Sequence, residues 1–121
     1  MTDDIGLRVR RVVGALTGFA AIVQDEDELS AAVRRLLDEA GLAYETEVRL
    51  GRDSRIDFLV DGVGVELKVA DSGAKLLRQL DRYAASPMLD ALVVVTTSRR
   101  LARVPPRLRA KPIVAVCMGG L

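Results

Sequence analysis

The chain contains no histidine and no tryptophan, and Cys117 is its only cysteine among 121 residues. The lack of histidine excludes His-dependent catalytic triads and the common zinc sites, because imidazole supplies their base or ligand. A single cysteine excludes an intrachain disulfide and favours a reducing, cytoplasmic setting. Any metal bound by this chain would rest on oxygen ligands, which favours Mg²⁺ or Mn²⁺.

Aromatic side chains and long apolar runs are also scarce. Aromatics make up 3% of the residues, so base stacking is not expected to dominate any contact with nucleic acid. No apolar run reaches the ~20 residues that a membrane-spanning helix needs, so no membrane partner is expected. Hydrophobic residues nevertheless make up 50% of the chain, enough for the core of a single domain over residues 1–121.

The net charge of +1 conceals an uneven distribution of charge along the chain. The segment 98–121 contains basic side chains and no acidic one, whereas the preceding residues carry an excess of acids. Such a segment either contacts phosphates or serves as a solubilising loop, and both interpretations stay open. Its basic residues are Arg99, Arg100, Arg103, Arg107, Arg109 and Lys111.

The most informative stretch runs from Arg55 to Lys68 and predicts two strands joined by the turn Asp61-Gly62. An Asp-Gly pair between apolar runs favours a type I′ turn, in which both central residues have positive φ. A two-residue loop fixes the register of the two strands. The expected opposite pairs are Val60 with Val63, Phe58 with Val65, and Asp57 with Glu66.

This register places Asp57, Glu66 and Lys68 on one face, because strand side chains repeat every second residue. Two carboxylates at ~4 Å repel by roughly 4 kcal/mol at an effective dielectric near 20, and a divalent cation between them would convert the repulsion into binding. Gly64 is expected to leave open space beside the acids. The alternative is a solvated face with unrelated charges.

The rest of the chain predicts an α/β domain, a mixed central sheet flanked by helices. The order is helix, three strands, helix, strand, irregular segment, strand, in which the second helix suits a crossover between parallel strands. The expected helices cover 25–40 and 72–85, the strands outside the hairpin cover 44–50, 92–95 and 113–117, a short helix and loop cover 99–109, and 5–24 is either a helix or a strand-turn-strand.

Together, Asp57 in the second strand and Glu66-Leu67-Lys68 in the third resemble the motif of the PD-(D/E)XK nuclease superfamily, which has the restriction-endonuclease-like fold. The family's αβββαβ core corresponds to about residues 25–97. The exonuclease and resolvase-like branches often carry Gln and Tyr in the following helix, as Gln79 and Tyr83 do here. One departure is Ile56, which stands where the family name has Pro.

The resemblance implies a magnesium- or manganese-dependent nuclease acting on DNA. It implies that Asp57, Glu66 and the Leu67 carbonyl hold the metal and that Lys68 orients or activates the attacking water. Glu28 in the first helix would complete the metal shell; its alternative is a helix N-terminal charge.

Gln79 and Tyr83 would line the site, or else fix their helix to the sheet. Two alternatives to a general nuclease stay open: a homodimeric, structure-specific resolvase acting on branched DNA, and an inactive nucleic-acid-binding module. The expected nucleic-acid contacts are Arg55, Lys75, Arg78, Arg82, Arg99, Arg100 and Arg103.

Overall fold

The computed structural model describes residues 4–17 and 23–118. Within these residues the chain forms three α-helices and six β-strands. The helices are α1 (Ile5–Leu16), α2 (Glu26–Glu39) and α3 (Gly73–Ala84). The strands are β1 (Glu45–Arg49), β2 (Arg55–Val60), β3 (Val63–Lys68), β4 (Ala91–Thr96), β5 (Arg107–Leu108) and β6 (Lys111–Cys117).

The strands form one mixed sheet in the order β1-β2-β3-β4-β6-β5. The pairs β1–β2 and β2–β3 are antiparallel, whereas β3, β4 and β6 run parallel. The predicted α/β class and the crossover through α3 are therefore confirmed. Lys68, Thr96 and Cys117 are in register at the carboxyl ends of the three parallel strands, the edge at which open α/β sheets usually place their ligands.

The β2–β3 turn has the predicted geometry, with φ of 49° at Asp61 and 78° at Gly62. Phe58 pairs with Val65, Leu59 with Gly64 and Val60 with Val63, as the two-residue loop requires. The buried guanidinium of Arg8 in α1 covers this turn. Its Nη1 donates to the Asp61 carbonyl at 2.6 Å and to Asp90 Oδ2 at 2.9 Å.

The core consists of two apolar layers, one on each face of the sheet. Helices α1 and α2 cover the first face, and α3 covers the second. The N-caps follow from sequence, because the Asp25 and Ser72 side chains accept the backbone N–H groups of Glu28 and Lys75. The first layer includes Val12, Leu16, Leu29, Val33, Leu37, Phe58 and Val65, and the second includes Ile56, Leu76, Leu80, Leu92, Val94 and Leu101.

Strand β2 changes faces at Asp57. Ile56 packs in the α3 layer and Phe58 in the opposite layer, although residues two apart in a regular strand share a face. The β1–β2 ladder omits Asp57 and Glu47, and Glu47 has a positive φ of 51°. Regular pairing is thus interrupted at the first candidate carboxylate.

Two expectations about the fold need correction, and a third prediction is decided between its two alternatives. Gly64 leaves no open space beside the acids, since a Cβ there would lie 3.0 Å from the methyl groups of Leu89. The segment 99–109 contains turns and β5 in place of the expected helix, in keeping with Pro105-Pro106, which cannot continue one. Of the two forms predicted for the stretch 5–24, the structure shows the helix, because α1 continues past Gly14 without a break. Residues 18–22 lie outside the described part of the chain.

Candidate active site at the carboxyl edge of the sheet

The structure brings Asp57, Glu66 and Lys68 together where β2 and β3 diverge. Backbone pairing ends at Phe58 and Val65, so Asp57 and Glu66 do not form the expected ladder pair. Instead, Asp57 Oδ2 accepts the backbone N–H of Leu67 at 2.8 Å. Lys68 Nζ lies 3.7 Å from Glu66 Oε2. The Asp57 carboxylate thus accepts the Leu67 N–H in place of a backbone carbonyl. This hydrogen bond directs the carboxylate toward Glu66.

Glu66 is the most unusual group in the site because its side chain is almost completely buried, with the residue 3% exposed. Burial, followed by the nearby Asp57 carboxylate, raises the pKa of Glu66 to about 9, against a smaller lowering by Lys68 and Tyr83. Its Oε1 is buried without a hydrogen-bond partner among the described residues. Buried polar atoms normally have partners, so this carboxyl group needs either a proton, which it can share with Asp57, or a cation from outside the chain.

Tyr83 and Gln79 connect α3 to both strands of the site. Gln79 Nε2 donates to the Tyr83 hydroxyl at 2.7 Å, and that hydroxyl lies 3.1 Å from the Arg55 carbonyl and 3.2 Å from Glu66 Oε2. Burial and then Glu66 raise the pKa of Tyr83. The hydroxyl carries one proton, so it donates to one of its two acceptors at a time. Tyr83 donating to Glu66 favours the ionised carboxylate, whereas a hydrogen bond between the Glu66 and Asp57 carboxyl groups favours the protonated form and raises the pKa of Glu66.

These contacts make the two interpretations of Gln79 and Tyr83 compatible. The hydrogen bonds fix α3 to β2 and β3, which is the structural role. They also hold one oxygen of Glu66 in place while the other has no partner among the described residues. Tyr83 therefore orients the carboxyl group that sequence reasoning identified as a metal ligand.

Asp71 belongs to the site, although sequence reasoning missed it. Its Oδ2 lies 4.0 Å from Lys68 Nζ, and its Oδ1 accepts the Ser72 N–H at 2.8 Å. The Asp71 carbonyl accepts a hydrogen bond from Arg100 at 2.7 Å. The available signal was its position three residues after Lys68, between the carboxyl end of a strand and a helix N-cap.

Glu28 is not brought to the other acids. It is exposed at the start of α2, where its carboxylate accepts the Gln24 N–H at 3.1 Å and its own N–H donates to Asp25 Oδ1 at 2.8 Å. Across residues 4–17 and 23–118, no group of three or more acidic or cysteine side chains is placed to hold a metal ion. The helix-terminal alternative for Glu28 is the one that its contacts support.

The expected nucleic-acid contacts lie mainly on the α3 side of the sheet. Basic side chains on α3 and on the segment after β4 are exposed. A groove of about 250 Å³ lies between α3 and this segment, and Arg100 and Arg103 are the basic residues that line it, beside Leu76, Leu80 and Leu101. Arg55 lies at the start of β2, where its carbonyl faces Tyr83. These exposed basic residues are Lys75, Arg78, Arg82, Arg99, Arg100 and Arg103.

A larger cavity of about 550 Å³ opens at the opposite end of the hairpin, lined by residues 41–45 and 59–62. It contains none of the predicted site residues. Its two acids, Glu45 and Asp61, are exposed, so they lack the environment that perturbs Glu66. The chemistry therefore points to the carboxyl-edge site in preference to this cavity.

Comparison of the chain with models of known protein families, with curated proteins and with solved structures found no match. Among the residues described, no helix is both long and apolar enough to cross a membrane. The function is accordingly argued from the residues of the site.

Proposed function

We propose that this chain is a metal-dependent nuclease that hydrolyses DNA phosphodiester bonds on a restriction-endonuclease-like core. One observation carries the proposal: the buried Glu66 carboxyl lies beside Asp57 and Lys68 and has an oxygen without a partner among the described residues. DNA as the substrate rests on the resemblance of the Asp57, Glu66-Leu67-Lys68 and Gln79/Tyr83 pattern to nucleases.

The residues present fit a magnesium ion. Mg²⁺ commonly binds through one or two carboxylates and keeps several of its waters, so Asp57 and Glu66 suffice without Glu28. The Leu67 carbonyl is the third candidate ligand. The Glu66 oxygen without a partner and the raised pKa of Glu66 both indicate a site where a cation would be favourable. When bound, such an ion would neutralise phosphate charge and lower the pKa of a coordinated water.

The chain's own side chains supply the remaining functions. Lys68 is 16% exposed, so its ammonium can meet a phosphate oxygen at the surface while its stem stays packed. A cation in this position offsets the charge that develops on the phosphoryl group in the transition state. Tyr83 and Gln79 keep the Glu66 carboxyl oriented throughout.

The basic surface on the α3 side supports a polyanionic substrate. It lies on the same side of the sheet as Glu66 and Lys68, and its contributors are exposed. Exposed Lys and Arg side chains bind the phosphate backbone through release of condensed counterions, which requires no sequence recognition. The surface would therefore bring phosphates to the site and leave cleavage to the carboxyl edge.

The direct test is an assay for nicking or degradation of linear, circular, single-stranded and four-way-junction DNA with Mg²⁺ or Mn²⁺. We expect cleavage by the unaltered protein and its loss in Asp57→Asn, Glu66→Gln and Lys68→Met. Glu39→Gln is a matched control, because Glu39 is exposed on α2 and pairs only weakly with Arg35. Undiminished cleavage by Glu66→Gln would refute the proposal.

A second candidate, a nucleic-acid-binding module without catalysis, is favoured by one observation. Among the described residues, no third acid is placed with Asp57 and Glu66 so that the three could hold a metal ion. Calorimetric titration with Mg²⁺ and Mn²⁺ separates the two functions. Metal binding that disappears in Glu66→Gln supports the nuclease, whereas DNA binding without any metal binding supports the module.

A further inference from the structure

The reactive position of Lys68 depends on residues outside the hairpin. Lys68 is the last residue of β3, and its four-carbon side chain has many rotamers. Its Nζ lies between two carboxylates, 3.7 Å from Glu66 Oε2 and 4.0 Å from Asp71 Oδ2. Glu66 is rigidly buried, so the second contact determines whether the ammonium stays beside Glu66 or swings into solvent.

Asp71 is itself held from three directions. Its two carboxylate oxygens face Lys68 and the Ser72 N–H, and its carbonyl accepts the Arg100 guanidinium at 2.7 Å. Ser72 is the N-cap of α3, so the Asp71 backbone is connected to a rigid helix. Arg100 belongs to the basic segment after β4, 29 residues away in the chain.

We propose that Asp71 and Arg100 are positioning residues that keep Lys68 Nζ beside Glu66. Asp71 restrains the ammonium directly, and Arg100 restrains the loop that carries Asp71. These contacts also connect the basic segment after β4 to the carboxyl edge of the sheet. The inference rests on the proposed nuclease function for its kinetic consequence, whereas the restraint on Lys68 is a property of the protein without metal or substrate.

The Lys68–Asp71 contact is long, at 4.0 Å, and Arg100 meets only the Asp71 carbonyl, so we attribute these contacts to placement of the ammonium and not to folding energy. Asp71 and Arg100 lie at the edge of the site, where a flexible side chain must be ordered before it can assist a reaction. Misplacement of a reacting group by about 1 Å can cost on the order of 100-fold in rate. We therefore expect kcat to respond more strongly than KM.

The kinetic test compares Asp71→Asn with Asp71→Glu, and Arg100→Gln with Arg103→Gln. Asp71→Asn should lower kcat on the order of 10-fold or more with KM within about twofold, and Asp71→Glu should restore part of that loss. Arg100 and Arg103 are both exposed in the same segment. Arg100→Gln should lower kcat and raise KM, whereas Arg103→Gln should raise KM alone.

A second readout needs no catalysis. The chain has three lysines, Lys68, Lys75 and Lys111, so their side-chain NMR signals can be assigned by single substitutions. In the metal-free protein we expect the side-chain NMR signal of Lys68 to show the restricted motion of a held ammonium, unlike the signal of exposed Lys75. That signal should move toward the Lys75 position in Asp71→Asn and in Arg100→Gln, and should not move in Arg103→Gln.

The outcomes separate this inference from the nuclease proposal. If no substrate is cleaved by the unaltered protein, the nuclease proposal fails, and the NMR spectra still decide whether Asp71 and Arg100 restrain Lys68. An unchanged Lys68 signal in folded Asp71→Asn overturns the inference, as does an unchanged kcat in a protein that cleaves. Equal kinetic effects of Arg100→Gln and Arg103→Gln would show that Arg100 does not help to position Lys68. Circular dichroism establishes that each variant is folded.

Discussion

An ionisable side chain is buried at each end of the β2–β3 hairpin, and the charges around the two side chains differ. At the turn end, Arg8 meets the Asp90 carboxylate and the Asp61 carbonyl at hydrogen-bonding distance. At the open end, Glu66 meets a second carboxylate, Asp57, and keeps one oxygen without a partner among the described residues. Opposite charges in contact offset each other, whereas two neighbouring carboxyl groups need a proton or a cation between them.

The difference shows why burial alone does not identify a functional group. Arg8 and Glu66 are both classed among the buried charged residues. Arg8 lies beside the oppositely charged Asp90 carboxylate, whereas burial and the Asp57 carboxylate raise the pKa of Glu66. A perturbed acid beside a basic surface is a candidate for catalysis, because active sites tend to contain groups whose environments oppose their usual ionisation.

The largest expected effect is on catalysis at the open end. Glu66→Gln keeps the shape of the side chain and removes its capacity to bind a cation as a carboxylate. We expect cleavage to fall by at least about 100-fold, comparable to the loss of one essential electrostatic contact. Arg8→Met should leave cleavage by the folded protein within about twofold, since Arg8 lies at the other end of the hairpin. Equal losses of cleavage in Glu66→Gln and Arg8→Met would show that the two ends of the hairpin do not differ in function.

The next effect is the pH dependence of stability without metal. Glu66 has an ordinary pKa of 4.5 in the unfolded chain and about 9 in the folded protein. Between these values the folded protein binds more protons than the unfolded chain, so the free energy of unfolding should fall as pH rises. The contribution is fully present below pH 4.5 and is lost by about pH 9.

This prediction is measured by thermal unfolding in EDTA from pH 5 to pH 9, with Glu66→Gln as the comparison. Because Gln carries no titrating proton, its Tm should depend less on pH than that of the unaltered protein. Magnesium affinity should rise over the same range, since binding requires the proton to leave Glu66. Parallel Tm curves for the two proteins would show that Glu66 titrates normally.

At the turn end the expected effect is on stability. Arg8→Met removes hydrogen bonds from a charged donor, which are typically worth about 1.5–3 kcal/mol each. Asp90 is about half exposed, so it regains water and the total loss should stay near 1–3 kcal/mol. Urea unfolding at neutral pH measures the change. A loss of stability equal to that of exposed Arg10→Met would show that the Arg8 contacts do not matter.

The smallest effect is expected for Glu28→Gln, which tests the acid that the structure leaves outside the site. Its contacts are those of a helix N-terminus, so unfolding should become easier by only about 0.5–1 kcal/mol. Cleavage and Mg²⁺ affinity should stay within about twofold of the unaltered protein. A loss of Mg²⁺ affinity as large as that in Glu66→Gln would restore Glu28 as a metal ligand.

The accuracy of the sequence predictions followed the range of the interactions involved. The turn at Asp61-Gly62 and the helices that begin near Asp25 and Ser72 depend on residues close in sequence, and each was confirmed. The short helix predicted within 99–109 was wrong, because the turns of this segment form against α3 and β6. Gly64 was misinterpreted because Leu89, 25 residues later, fills the space above it.

By itself, the amino-acid sequence determined the α/β order, the hairpin register through Phe58 and Val65, and the exclusion of imidazole chemistry from a chain without histidine. Only the tertiary structure decided that β2 changes faces at Asp57, that Glu66 is buried against Tyr83, and that Asp71 contacts Lys68 while Arg100 contacts Asp71. Local turn and cap preferences act between neighbours in the chain. Burial and the pKa of a carboxyl group depend on side chains that folding brings from distant segments.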